Sequence, residues 1–479
     1  MPEHRLKPGA SIDFSVDADL RVTNARKNLT GVSFHTVSGR TGHPFDKEGS
    51  YSLSENLETA IRELHLPLTR FYAVGVQQYP LNDSIDKVAM VLGKLNIPEI
   101  TSVLEFESIG GTRMLSPEEW RAGVEHSKSK GYKFNMWEIA NEPYLTGGTK
   151  AYPDPEIYIE QVKNVNREIK SAMPGSKTGI GIHFAPHANG TFNGGESGGP
   201  WCEKVIKEAA GSYDFAAPHY YGQIGAKVQG AQMQYPLYVI EANCARFDNA
   251  IRVTELLHKY NRGRDVFQYD TEGGLNTKSS MNMNIVGVAH RAYRMIYYIR
   301  ENMLRGATWW GMFGTTKDGA DKGHYVFATD IEMKRTMNYW LYYYINRHVG
   351  DFVLDINGVC PYYTTKNLTG SYYQNIDVPM TPVLVTINSN KSELYCVVVN
   401  GSWENEYPFE MSVSNFTADS GSGVRLSSDN IDASPILNDK SEFVSAFTPK
   451  VTTKSAESTL SFTLQPHSVV FVTLHGVSR

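Results

Sequence analysis

Cysteine is scarce: Cys202, Cys244, Cys360 and Cys396 are the only four in 479 residues. They show no CxxC spacing and no accompanying histidine pattern, which argues against a zinc ribbon or a thioredoxin-like redox motif. Two disulfides or four buried thiols both fit that count. No apolar run reaches the ~18 residues that a membrane span needs. The net charge is −5 with no block of like charges, so nothing invites nucleic acid or an anionic membrane surface. The glycine-rich stretch 190–199 has neither a P-loop lysine nor a GxGxxG register, and reads as a loop rather than a phosphate cradle. The opening residues Met1-Pro2-Glu3-His4-Arg5 carry no apolar leader. A cytoplasmic enzyme and an exported one whose leader has been removed both fit, so the compartment stays open.

What is abundant is aromatic: 28 Tyr, 20 Phe and 7 Trp, within 41% hydrophobic and 20% charged residues. That is the balance of a well-packed globular chain, and most of these rings belong in cores. A chain of this length implies one large domain with a smaller one. From residue 29 to 349, β-rich runs alternate with amphipathic helical stretches. Strands are expected at 29–35, 68–73, 100–106, 134–140, 178–184, 215–219, 266–269 and 307–312. Pro117, followed by Glu118 and Glu119, is a good first helical turn. Eight alternations predict a (β/α)8 TIM barrel at 26–350, with a doubly wound sheet as the alternative. After residue 350, short alternating strands separated by Asn, Ser and Gly predict an all-β sandwich at 351–479. The early stranded segment within residues 1–25 is expected to cross over and join that sandwich.

A barrel places its working groups at strand C-termini, and polar signatures fall there. Glu142 stands in Trp-Glu-Ile-Ala-Asn-Glu-Pro-Tyr (137–144), and Glu272 in Tyr-Asp-Thr-Glu-Gly-Gly (269–274). Cleaving a glycosidic bond requires two carboxyl groups, a proton donor and a group facing the anomeric carbon. Asp270 and Glu272 share strand parity, so either can face inward, whereas Thr271 should face the helices. His219 and Tyr221 in Pro-His-Tyr-Tyr-Gly (218–222) share parity towards the mouth. A Tyr221 phenol bonded to Glu272 would hold it ionised and oriented. Arg70, on the second strand, needs a buried carboxylate partner, for which Glu272, Asp270 and Glu138 are candidates. Trp309 and Trp310 end the eighth strand, where one ring can form the floor under a sugar.

Together the 137–144, 218–222 and 269–274 motifs and the double tryptophan resemble the retaining glycoside hydrolases of clan A. The His-x-Tyr-Tyr pattern and trailing sandwich are similar to its α-L-arabinofuranosidase and β-xylosidase families. The resemblance implies Glu142 as acid/base and Glu272 as nucleophile of an O-glycoside hydrolase acting on oligo- or polysaccharide. Asn141, Arg70, His35, Glu105, His183, His219, Tyr221, Trp309 and Trp310 would line or support the sugar subsite, with His35 and Glu105 chosen from strand-end position alone. No metal or organic cofactor is implied. Those families usually carry an aromatic residue after the nucleophile, where this chain has Gly273, so the adjacent subsite should differ. An endo-acting galactan- or agar-type hydrolase is the alternative within the class. A non-catalytic carbohydrate-binding barrel, a metal-dependent hydrolase and a Schiff-base aldolase are the other classes. Residues 29–35 hold a single His and 215–219 no Lys, which disfavours the last two.

Overall fold

The β-rich runs between residues 31 and 309 form parallel strands whose neighbours in space follow one another in sequence. The computed structural model describes every residue except 1–5, 38–42, 47, 77–78, 108–112, 145–150, 153, 183–197, 224–233, 277–279, 315–324, 367–373, 432, 435, 437–439 and 479. The barrel strands are Gly31–His35, Thr69–Phe71, Val103–Glu105, Met136–Ile139, Lys177–Ile182, Phe215–Gln223, the split pair Phe267–Asp270 and Glu272–Asn276, and Gly306–Trp309. The last pairs with both Gly31–His35 and Phe267–Asp270, so the sheet closes into a (β/α)8 barrel. Its lower interior is plugged by Leu68, Val103, Met136, Phe215, Ala217 and Tyr269.

The helices between strands start where the sequence supplies caps. Ser116 and Glu119 form a reciprocal capping box around Pro117, and Asp154 and Asn284 cap Pro155–Ala172 and Ile285–Arg300. Each cap satisfies backbone N–H groups that a helix otherwise leaves without partners. The sixth helix is Ala242–Tyr260. A π-helical segment, Leu237–Glu241, leads into it, and the segment and the helix's first turns are buried all round, through Val239 and Ile240 in the segment and Cys244 and Phe247 in those turns. A stretch buried on every side has no wet face for an amphipathic period to mark.

Among the described residues, the C-terminal strands and two from the N-terminus form an antiparallel-rich sheet of eleven strands. Ile12–Asn24 lies inside it, antiparallel to Phe352–Cys360 and parallel to Tyr407–Ser414. One face encloses its own core, including Phe14, Val16, Ile356, Val385, Met411 and Val472. The opposite face presents Leu384, Val397, Val399, Val469 and Phe471 to the barrel's helices. Helix Ile285–Arg300 is therefore covered on both sides and buried from Ile285 through Ile299. Tyr293 donates to the Pro379 carbonyl (3.0 Å) and Arg300 to the Val383 carbonyl (3.2 Å) across this seam. All four cysteines are buried thiols rather than disulfides. Among the described residues no helix is long and apolar enough to cross a membrane.

Candidate active site

The fourth strand ends in an abrupt turn. Ala140 and Glu142 both adopt left-handed backbone conformations, with φ of 63° and 49°, which residues other than glycine adopt at a cost. The turn is held from behind. Tyr158 donates to the Ile139 carbonyl (2.6 Å) and accepts from the Gly181 N–H (2.8 Å). Pro143 lies so close to the fifth strand that a Cβ at Gly181 would approach its Cδ to 2.7 Å. This backing directs Asn141 and Glu142 over the mouth of the barrel.

The seventh strand breaks at Thr271, between Phe267–Asp270 and Glu272–Asn276. Simple alternation fails there. Asp270 turns outward, accepting from the Tyr220 N–H and the Tyr298 hydroxyl (both 3.3 Å). Thr271 points inward instead of towards the helices: its hydroxyl donates to Glu138 (3.2 Å) and accepts from His219 (3.1 Å). Glu272 follows it inward, so two consecutive side chains face the site. Neither Asp270 as an inward group nor Asp270 as the partner of Arg70 is what the structure holds.

Arg70 is fully buried and organises the floor. Its Nε and Nη2 donate to the two oxygens of Glu138 (2.7 and 2.9 Å), Nη1 to Glu272 Oε1 (2.7 Å), and Nη2 also to Asn141 Oδ1 (2.8 Å). The Tyr221 hydroxyl donates to the other oxygen of Glu272 (2.8 Å). His219 Nδ1 lies 2.9 Å from Glu142 Oε1 and 3.6 Å from Glu272 Oε2. The Tyr144 hydroxyl donates to the same Glu142 oxygen (3.2 Å). One carboxylate oxygen from each glutamate and a His219 nitrogen all lie within 4.8 Å of one another. Such a trio has the spacing of a metal site, but here the Arg70 guanidinium already neutralises Glu272.

Burial opposes charge on His219, yet Glu272, Glu138 and Glu142 outweigh it and push the imidazole up to about 10. Burial also opposes ionisation of Glu138, but Arg70 and His219 hold its carboxyl below the usual range. Burial raises the Glu272 pKa and the Glu142 charge adds to it, while His219, Arg70 and the Tyr221 hydroxyl favour the anion.

The remaining sequence candidates divide. Trp310 is partly exposed at the mouth, its ring 3.6 Å from that of His35 and 5.8 Å from that of Tyr72. Trp309 does not reach the mouth: it is buried towards the helix layer, with its indole N–H on the Leu29 carbonyl (3.2 Å) and the Arg294 guanidinium 5.3 Å from its ring. His35 is 1% exposed, packed against Trp310, and supports that ring rather than lining the opening. Glu105 is also buried, its carboxylate accepting from the Ala73 and Glu107 N–H groups (2.7 and 2.5 Å). It braces the rim and does not line it. His183 and most of loop 190–199 lie outside the described residues. Thr271 and Tyr144 had no assigned role. Tyr144 was visible in the 137–144 motif, two residues beyond Glu142, whereas the inward turn of Thr271 depends on a strand break with no sequence signal.

No protein-family model and no curated relative matches the sequence. Solved structures do match. A family 51 arabinofuranosidase from Xanthomonas axonopodis pv. citri superposes with a TM-score of 0.72 at 12% identity, over 97% of this chain and 100% of the other. The thermostable family 51 α-L-arabinofuranosidase from Thermotoga petrophila RKU-1 gives 0.73 at 13%, with the same coverage. A glycoside hydrolase family 44 endoglucanase from Clostridium acetobutylium ATCC 824 gives 0.61 at 11%, over 97% and 99%. The chain thus has the barrel-and-sandwich fold found in clan A glycoside hydrolases. At such identities the likeness establishes the fold.

Proposed function

We propose that the protein is a retaining O-glycoside hydrolase with Glu142 as acid/base and Glu272 as nucleophile. The observation that carries this reading is the spacing and unequal setting of the pair. Oxygens of the two carboxyls lie within 4.8 Å, in line with the ~5–5.5 Å between carboxyl groups of retaining sites and too close for the water of an inverting one. Glu272 receives a strong donor on each oxygen, Arg70 on one and Tyr221 on the other, which fixes it as an oriented anion. Glu142 is more open, with 26% of its side chain exposed against 7% for Glu272. Its Oε1 accepts from the Tyr144 hydroxyl and lies 2.9 Å from His219 Nδ1.

In the first step Glu272 attacks the anomeric carbon while Glu142 passes its proton to the departing oxygen. The C–O bond to the leaving group breaks as the ester to Glu272 forms. Glu142, now ionised, takes a proton from water, whose oxygen displaces Glu272 and restores both groups. Asn141 gives its side-chain oxygen to Arg70, which leaves its amide N–H groups to donate to a sugar hydroxyl. Trp310 offers a ring against which a pyranose or furanose face can pack. The matched structures are described as both arabinofuranosidase and endoglucanase, so the reading names the bond and not the sugar.

The test is hydrolysis of a panel of aryl glycosides and polysaccharides, with the product anomer followed by NMR from the first turnover. The expected result is a product of the same configuration as the substrate, no turnover in Glu272→Gln, and a loss of about 10²- to 10⁴-fold in Glu142→Ala on substrates with poor leaving groups. Azide, which attacks without a base, should restore turnover of activated substrates in Glu142→Ala and give a glycosyl azide of retained configuration. An inverted azide would mean that the two roles are exchanged. Undiminished activity in both variants would place the site elsewhere.

A further inference from the structure

One buried anion at the site has no part in those two steps. Glu138 is fully buried on the fourth strand, four residues before Glu142. Both of its oxygens are taken by the Arg70 fork, one also accepts from Thr271, and His219 Nε2 lies 3.9 Å away. Around it stand Arg70 on the second strand, Glu105 on the third, His219 on the sixth, and Thr271 and Glu272 on the seventh. Two consequences follow from this placement. Bidentate pairing fixes the plane of a guanidinium, so Glu138 determines where Arg70 presents its remaining donors to Glu272 and Asn141. The Thr271 hydroxyl spends its one hydrogen on Glu138, so towards His219 it can only accept, and Nε2 must carry a hydrogen. Nδ1 can then donate to Glu142 only if the ring is an imidazolium.

We propose that Glu138 is a positioning residue of this site: it orients the Arg70 fork, holds His219 as an imidazolium through Thr271, and supplies the fixed negative charge that leaves one proton on the Glu142–Glu272 pair. The charge balance makes this concrete. Arg70 and His219 contribute two positive charges, and Glu138 and Glu272 two negative ones, so Glu142 remains protonated in a neutral cluster. Replacing Glu138 by a neutral group leaves a net positive site, which favours loss of that proton. This proposal rests on the glycosidase reading for its effect on turnover, but its electrostatic part can be observed without substrate.

The experiment compares Glu138→Gln and Glu138→Asp with the wild type in two ways. In kcat/KM against pH on a substrate with a poor leaving group, Gln should move the basic limb about one pH unit to lower pH. Asp, which keeps the charge, should lose rate without moving the limb. In ¹⁵N NMR of the histidine rings without substrate, the His219 imidazolium should deprotonate at lower pH in the Gln variant than in the wild type, and not in the Asp variant. Equal losses of rate with unmoved limbs and an unmoved His219 titration would overturn the proposal, because a merely structural role would do the same. A Gln variant that fails to fold while Asp folds with its limb and titration in place supports a requirement for charge. Failure of both to fold would make the position structural and overturn the proposal. A wild type that cleaves no glycoside would sink the proposed function instead, and the NMR titration would still decide the role of Glu138.

Discussion

Beneath the Arg70 cluster, two further carboxyls are held away from water. Burial pushes Glu105 up to about 8, with Glu107 adding to the effect and the Ala73 N–H opposing it. Burial likewise pushes Glu107 up to about 7 against donors from Tyr152, Trp120 and Gln161. A carboxyl whose folded pKa lies above its unfolded value of 4.5 binds more protons when folded. Its contribution to stability is therefore complete below pH 4.5 and is lost as pH rises through about 8, at up to about 1.4 kcal/mol per pH unit per group. Glu105→Gln, a mimic of the protonated form, should flatten the fall in stability between pH 5 and 8 measured by chemical denaturation. An unchanged slope would mean that Glu105 is ionised in the folded protein. At this scale the placement of the cluster was legible in part. Glu142, Glu272, Arg70, His219 and Tyr221 stand in strand-end signatures and lie together at the mouth of the barrel; the shared parity of His219 and Tyr221 survives folding, whereas that of Asp270 and Glu272 does not. Thr271 and Asp270 were misread because the strand breaks between them, and Trp309 because parity could not say which of two adjacent rings turns outward. Glu105 and His35 are at strand ends as expected but are roofed by their neighbours, which position along a strand does not reveal.

Among the elements, Ile12–Asn24 has an unusual burden. It lies far from its sheet partners in sequence and supplies hydrogen bonds to both Phe352–Cys360 and Tyr407–Ser414. Its buried residues alternate through Ile12, Phe14, Val16 and Ala18, so one face enters the sandwich core. Removing residues 6–24 would expose two strand edges and a strip of that core, and exposed edges of this kind template aggregation. The expected outcome is a protein that elutes as aggregate by size-exclusion chromatography, and a monomeric, heat-stable product would show that the strand is dispensable. The elements most visible in the sequence were those with one dry and one wet face, such as Pro117–Ser129 behind its capping box. Least visible were the start of Ala242–Tyr260 and the continuation at Glu272–Asn276, where burial on all sides or a glycine pair erases the period.

For the whole molecule, the seam between barrel and sandwich matters to the site through one helix. Ile285–Arg300 packs its outer side on the sheet, while its inner side sends Arg291 to the Trp310 carbonyl and Arg294 to the Tyr220 carbonyl and Asn243. These contacts fasten the ends of the eighth and sixth strands, where the aromatic wall and His219–Tyr221 stand. A chain ending near residue 350 would expose that helix and a broad apolar patch, and is expected to lose both solubility and the fixed mouth. A soluble truncation with full activity would show that the sandwich is not needed. The alternation of strands and helices made this architecture legible from the sequence, whereas the helix that fastens the site did not stand out. The most direct measurement traps the intermediate: Glu142→Ala is incubated with a panel of activated aryl glycosides, quenched, digested and mapped by mass spectrometry. The predicted result is a glycosyl adduct on Glu272. An adduct on another residue, or none while the wild type releases product of inverted configuration, would contradict the double-displacement mechanism.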